Sequence, residues 1–266
     1  MNNESSQWII PVVLALAVAA GLWFFARHSG EPEPVAVDSV PAQEPRPDSG
    51  IGPLHPLPEL SESADDAELR PLPPLDASDE YFKLELTQLY GEALGRLLVE
   101  SGLIEKIVAT VDNLPRAHVS EKIRPLGKLE GIFAVDGQDG SGEYTLNPDN
   151  FARFDALVTI VTSADLGRTV DMYRRFYPLF QSAYVNLGYP DGYFNDRLIE
   201  VIDHLLEAPE VEGPIELLRP NVLYQFADPE LESRSSGQKL LIRMGAGNAA
   251  RTKQTLRELR AAIVAG

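Results

Sequence analysis

The chain has 266 residues, with 23 Lys and Arg against 40 Asp and Glu, 21 prolines and no cysteine, for a formal charge of −17. Without thiols it has no disulfide framework, thiolate metal centre, iron–sulfur cluster or cysteine nucleophile. The acidic balance opposes nucleic-acid binding, because a polyanion approaching a surface of its own sign meets Coulomb repulsion. The 44% of apolar residues are ample for a core.

Trp8 to Ala26 is nineteen consecutive residues without a charge. As a helix this run spans roughly 28 Å, close to the ~30 Å hydrocarbon core of a bilayer. Trp8 and Trp23 sit near its two ends, where indoles favour the interface, and Pro11 falls in the first turn, where its missing N–H does least harm. The run is longer than a signal-peptide core and lacks both the preceding positive charge and the small residues of a cleavage site. A single uncleaved transmembrane helix within residues 1–28 is therefore expected, with the lipid bilayer as partner of residues 8–26.

Arg27, the nearest fixed cation, lies on the carboxyl side and by itself favours a cytoplasmic body. The imbalance is one charge, and long domains translocate largely regardless of charge. An anchor followed by a proline-rich tether is also a common plan of bacterial envelope proteins. The expectation is a single-pass protein of the bacterial inner membrane with a periplasmic body, a cytoplasmic body being the alternative.

Residues 29–78 carry eleven of the prolines, show no apolar period, and hold eleven acids against Arg46 and Arg70. Such a segment neither fills a core nor continues a helix, so a disordered linker is expected, reaching between ~40 Å as a flexible coil and ~150 Å fully extended. Pro53, Pro56 and Pro58 belong to it, with no clear PxxP core flanked by basic residues.

From Asp79 to Gly266 the composition changes to that of a soluble, mostly helical domain. Phe82, Leu86, Leu89, Ala93 and Leu97 repeat at helical spacing behind a Ser78-Asp79 cap, with Gly91 and Gly95 inside the run, where close packing by a neighbour is expected. Ile104, Ile107, Val108 and Val111 mark a second helix, ended by Asn113-Leu114-Pro115. Residues 131–135 and 143–146 flank a turn-rich loop and read as a β-hairpin. A helix opens at Asn147-Pro148-Asp149-Asn150, and Asp165 caps a longer one reaching about Leu187, which Pro178 should break or kink. Residues 191–207 form the next helix, 222–226 a strand, and 238–244 and 248–264 two further helices, with a turn at Gly245-Ala246-Gly247. The expected class is mainly α, of α+β type, with a small antiparallel hairpin or sheet.

Residues 111–116, 177–190, 201–206, 226–232 and 238–245 (VDNLPR, YPLFQSAYVNLGYP, VIDHLL, FADPELE and QKLLIRMG) together resemble a bacterial membrane-anchored family known as domain of unknown function 3014. The resemblance covers roughly residues 75–262. It implies one soluble domain on a single-pass anchor with a proline-rich linker, and it brings no catalytic residues.

Of the four histidines, His118 and His204 lie in the body, and neither has a second histidine at i+3 or i+4, so neither a metal site nor a cofactor is expected. Asp203 and His204 are adjacent on a helix and diverge by about 100°, which prevents mutual acid–base work. Asp112 and Asn113 are the most pointed polar pair: either a carboxylate and an amide at the lip of a groove, or groups that bond the backbone at a helix end. Asp228, Glu230 and Glu232 resemble the acidic start of a helix.

The last part of the chain is basic, including Arg243, Lys253, Arg257 and Arg260. Lys253, Arg257 and Arg260 are expected on one helix face, docked against the acidic segment Glu200–Glu216 or against a partner. Eight aromatics between Tyr173 and Phe194, among them Tyr184 and Tyr189, either fill the core or line a groove. Asp112, Asn113, Tyr184, Tyr189, Arg243, Lys253, Arg257 and Arg260 are thus the candidate partner-binding residues. The leading functional expectation is a membrane-tethered, non-enzymatic interaction domain that engages an envelope protein or cell-wall partner. The alternative is a hydrolase or other enzyme using Asp112 or Asp228 with Glu230 and Glu232.

Overall fold

The computed structural model describes residues 52–57, 71–127, 133–137, 142–221 and 223–265. The expected anchor at 8–26 and much of the linker lie outside them. No helix among the described residues is long and apolar enough to cross a membrane.

The body is mainly helical. A 3-10 turn at Leu75–Ala77 leads into α1 (Asp79–Tyr90), followed by α2 (Glu92–Gly95), α3 (Leu103–Asn113), α4 (Asp149–Ser163), α5 (Leu166–Asn186), α6 (Phe194–Leu206), α7 (Pro229–Glu232), α8 (Ser236–Arg243) and α9 (Ala246–Val264). Helix α3 packs against α5 and α6, and α9 against α4 and α6. Leu103, Ile104, Ile107, Val108 and Val111 of α3 are all buried, as are Leu198, Val201, Ile202 and Leu205 of α6, so each apolar stripe read from the sequence is a core face. Burying such a side chain is worth about 1.5–3 kcal/mol, so these two helices contribute much of the apolar burial.

Four short strands, β1 (Val135–Asp136), β2 (Glu143–Leu146), β3 (Glu216–Leu218) and β4 (Gln225–Phe226), form one antiparallel sheet in sequence order. Val135 pairs with Leu146, Tyr144 with Leu217, and Leu217 with Phe226. The sheet covers a second, smaller apolar cluster of Tyr144, Leu146, Ile215, Leu217, Phe226 and Ile242. Strand β3 was not expected. Ile215 and Leu217 point inward while Glu216 and Leu218 are exposed, and the outward-facing leucine disguises the alternation.

Three expectations are corrected. The helix read through Leu97 stops at Tyr90, because Gly91 has φ +87° and its N–H caps the Thr87 carbonyl. That turn resets the helical phase, so Leu94 and Leu98 are buried in place of Ala93 and Leu97. Close packing holds at Gly95, where a Cβ would lie 2.5 Å from Thr87 Oγ1, but nothing crowds Gly91. Pro178 does not break α5: it lies on the exposed side of the helix, while buried Phe176 and Phe180 pin the helix on either side of it. Finally, residues 52–57 and 71–78, read as linker, lie against the body, with Leu57, Leu72 and Leu75 packed on the main core.

Candidate functional site

The polar residues that the fold concentrates most tightly centre on Asp112. It lies in the last turn of α3, between Val111 and Leu114 of the apolar face, and is only 2% exposed. A carboxylate taken out of water in this way needs charged partners. Oδ1 accepts from Arg197 Nε at 2.8 Å, and Oδ2 from Arg116 Nη2 at 2.9 Å and the Tyr189 hydroxyl at 3.2 Å. Arg197 also donates to the Asp112 main-chain carbonyl at 2.7 Å and pairs through Nη1 with Glu200 at 3.0 Å. Burial alone would lower the Arg197 guanidinium, but the carboxylates of Asp112 and Glu200 outweigh it and hold the group above its ordinary value. The Tyr189 hydroxyl is pushed up by burial and by the adjacent Asp112 charge.

This knot joins the end of α3, the loop after α5 and the first turns of α6. Its rear is sealed by the start of α8. Ser236 N–H donates to the Arg116 carbonyl at 2.8 Å and Gly237 N–H to the Leu114 carbonyl at 3.0 Å, so amides at a helix N-terminus satisfy carbonyls beyond a helix C-terminus. Gly237 is required by this approach: a Cβ would lie 2.4 Å from Leu205 Cδ2 and 3.2 Å from the Leu114 carbonyl oxygen. Ser235 caps α8, accepting from Gln238 N–H, and its Oγ lies 2.8 Å from His204 Nε2. Burial pushes His204 below its ordinary 6.5, against the pull of Glu207. A serine beside a neutral imidazole has the parts of a nucleophile and its base. Here, however, the Oγ is already a cap, and the two following N–H groups that would stabilise an oxyanion are given to Arg116 and Leu114.

The other candidates fall into separate places. Asn113 donates to the Ala109 carbonyl at 2.7 Å, the helix-end role. Tyr184 is buried and stacks on Tyr189 with ring centroids 4.6 Å apart. Tyr173, Phe176, Phe180 and Phe194 are fully buried and packed ring against ring, so that run of aromatics is mostly core. A cavity of about 10 Å³ lies among Phe82, Leu86, Tyr90, Ile107 and Tyr173, room for one water and too small for a substrate. Asp228 caps α7 by accepting from Glu230 N–H, and Glu232 accepts from Phe226 N–H and from Lys239 at 2.9 Å. Of the acids offered for catalysis, Asp112, Asp228 and Glu232 are thus engaged in caps and pairs.

Lys253, Arg257 and Arg260, four and three residues apart on α9, share one side of the helix but not one environment. Lys253 is buried and donates to the Ala208 carbonyl at 2.5 Å, with Glu210 at 3.8 Å, while Arg260 grips Asp203 at 2.5 and 2.9 Å. Arg257 alone of the three is exposed, so docking against the chain's own acidic segment is observed for Lys253 and Arg260. Arg243 is mostly buried, over the Phe226 ring at 4.7 Å from its centroid. Among the described residues, no three His, Asp or Glu side chains are grouped to hold a metal.

Beside the knot, one residue before Arg197, Asp196 accepts from two consecutive main-chain amides, Leu54 N–H at 2.9 Å and His55 N–H at 2.8 Å. Asn195, buried and accepting from the Tyr173 hydroxyl at 2.9 Å, donates to the His55 carbonyl at 2.7 Å. Sequence reasoning passed over Asn195 and Asp196, Arg197, and Ser235. For Ser235 a signal was present, two serines ahead of an apolar run, the pattern of an N-cap.

Neither a curated protein nor a solved structure matches the chain. The model of the family described as "Protein of unknown function (DUF3014)" matches residues 103–260, from the first residue of α3 to the Arg260 that grips Asp203, and the chain belongs to that family.

Proposed function

We propose that this protein is a non-enzymatic interaction domain of the bacterial envelope, tethered to the inner membrane by residues 8–26 and facing the periplasm. The observation that carries the reading is the seating of residues 52–57: the body grips a short stretch of non-helical chain through main-chain groups, which is how interaction modules hold peptides. The saturation of Asp112 by two arginines and a tyrosine supports it, because a carboxylate so engaged is not available as a general base. The uncharged run of residues 8–26 supports the tether, which confines the body near membrane and cell-wall partners and raises their effective concentration.

Full-length protein is expected to stay in the membrane pellet after a high-salt wash; release by salt would overturn the tether. Crosslinking in native membranes followed by mass spectrometry is expected to give a partner set absent from a control carrying the anchor alone. Identical sets would overturn the interaction reading.

A further inference from the structure

Residues 52–57 form a short stretch without helix or strand that bends at Leu54 and His55. Pro53, His55 and Leu57 are half-buried while Gly52, Leu54 and Pro56 are exposed, Leu54 by 75%, so alternate residues face the body. The Leu57 side chain reaches the main core, and the main chain at positions 54 and 55 supplies two donors and one acceptor. The receiving surface is built rather than incidental. Asn195 is 1% exposed and oriented by Tyr173, and Gln181 fixes the approach to α6 by accepting from Phe194 N–H at 2.8 Å and donating to the Gly192 carbonyl at 2.7 Å. Because its polar contacts are to main chain, this surface asks little of sequence. It needs a bend that turns two adjacent N–H groups toward one carboxylate, together with a carbonyl and an apolar side chain two residues on. Prolines outside the bonded residues restrict the free chain and lower the entropic cost of docking.

We infer that the surface made by Asn195, Asp196 and the adjoining core edge is a binding site for a bent, proline-flanked peptide held through its main chain. Residues 52–57 are its resident occupant, and a segment of the same kind from another protein displaces them. The inference rests on the interaction reading above and assigns its ligand class. As an intramolecular occupant the resident segment competes at an effective concentration on the order of millimolar, so the site is masked until a partner is abundant or the segment is released.

The test uses the full-length chain in detergent and a fluorescent peptide of residues 50–59. Leu54→Pro with His55→Pro removes both N–H groups that reach Asp196 and leaves the receiving surface intact. The peptide is expected to bind this double variant at least about tenfold more tightly than the wild-type chain. Adding Asp196→Ala should abolish that gain, and a peptide with the same two prolines should not bind. In the wild-type chain the amides of Leu54 and His55 should be protected from hydrogen exchange, and Asp196→Ala should remove the protection. Equal peptide affinity for all chains, or unprotected amides in the wild type, would overturn the site. A stoichiometric complex between wild-type and double-variant chains would overturn the assignment to another protein in favour of a second copy. Peptide binding alongside an empty crosslinking set would leave the site standing while the interaction reading fails; the reverse would do the opposite.

Discussion

Two aspartates meet the first turn of α6, Asp112 from the end of α3 and Asp196 within the turn itself, and they do different work. Asp112, reached by Arg197, is buried and bonded to fixed charges. Asp196, the neighbour of Arg197, is only half-buried and bonded to neutral main-chain amides. In the first, breaking the contact strands a charge away from water. In the second, the released N–H groups find water at once. A carboxylate therefore acts as a permanent knot or an exchangeable clasp according to what its partner faces when let go.

The contrast can be broken most directly at Arg197. Arg197→Ala should cost about 3–5 kcal/mol by urea denaturation, because the Asp112 carboxylate is left buried, and combining it with Asp112→Ala should cost clearly less than the sum of the single changes. Gly237→Ala, at the rear of the knot, should cost about 1–3 kcal/mol through overpacking against Leu205 and Leu114. At the clasp, Asp196→Ala should lower global stability by no more than about 1 kcal/mol while freeing residues 52–57 to a protease.

Two smaller effects sharpen the boundary between knot and surface. Arg260→Ala breaks a pair half-open to water on both sides and should cost under about 1 kcal/mol, with Arg257→Ala within about 0.5 kcal/mol of the wild type. His204, held below its ordinary value by burial, accepts its proton more readily when unfolded. Its contribution is full above about pH 6.5 and is lost as pH falls through the lower native value. Stability curves of the wild type and His204→Gln should therefore converge on acidification through that window.

Much of this architecture was written in local patterns. The three- and four-residue spacing of α3 and α6, the Asp165 cap and the docking of the terminal helix follow from neighbouring residues alone. What escaped was set by distance or by a single backbone choice. Arg197 and Asp112 are 85 positions apart, and nothing in either neighbourhood names the other. Gly91 looked like a helix interior until its positive φ turned the chain. Residues 52–57 had the composition of a linker, and only the fold supplies the acceptor that holds them. Lys253, Arg257 and Arg260 were read on one stripe, but the partners that bury the first and tie down the last, the Ala208 carbonyl and Asp203, come from distant parts of the chain.

The amides of Ser236 and Gly237 meet carbonyls some 120 positions earlier. A ribosome delivers those carbonyls first, so the end of α3 waits, hydrated and incomplete, until α8 has left the exit tunnel. Maturation of this domain is thus timed by its last strokes rather than its first. A nascent chain stalled before Ser235 should remain protease-sensitive around Leu114 to Arg116, however long it is held there.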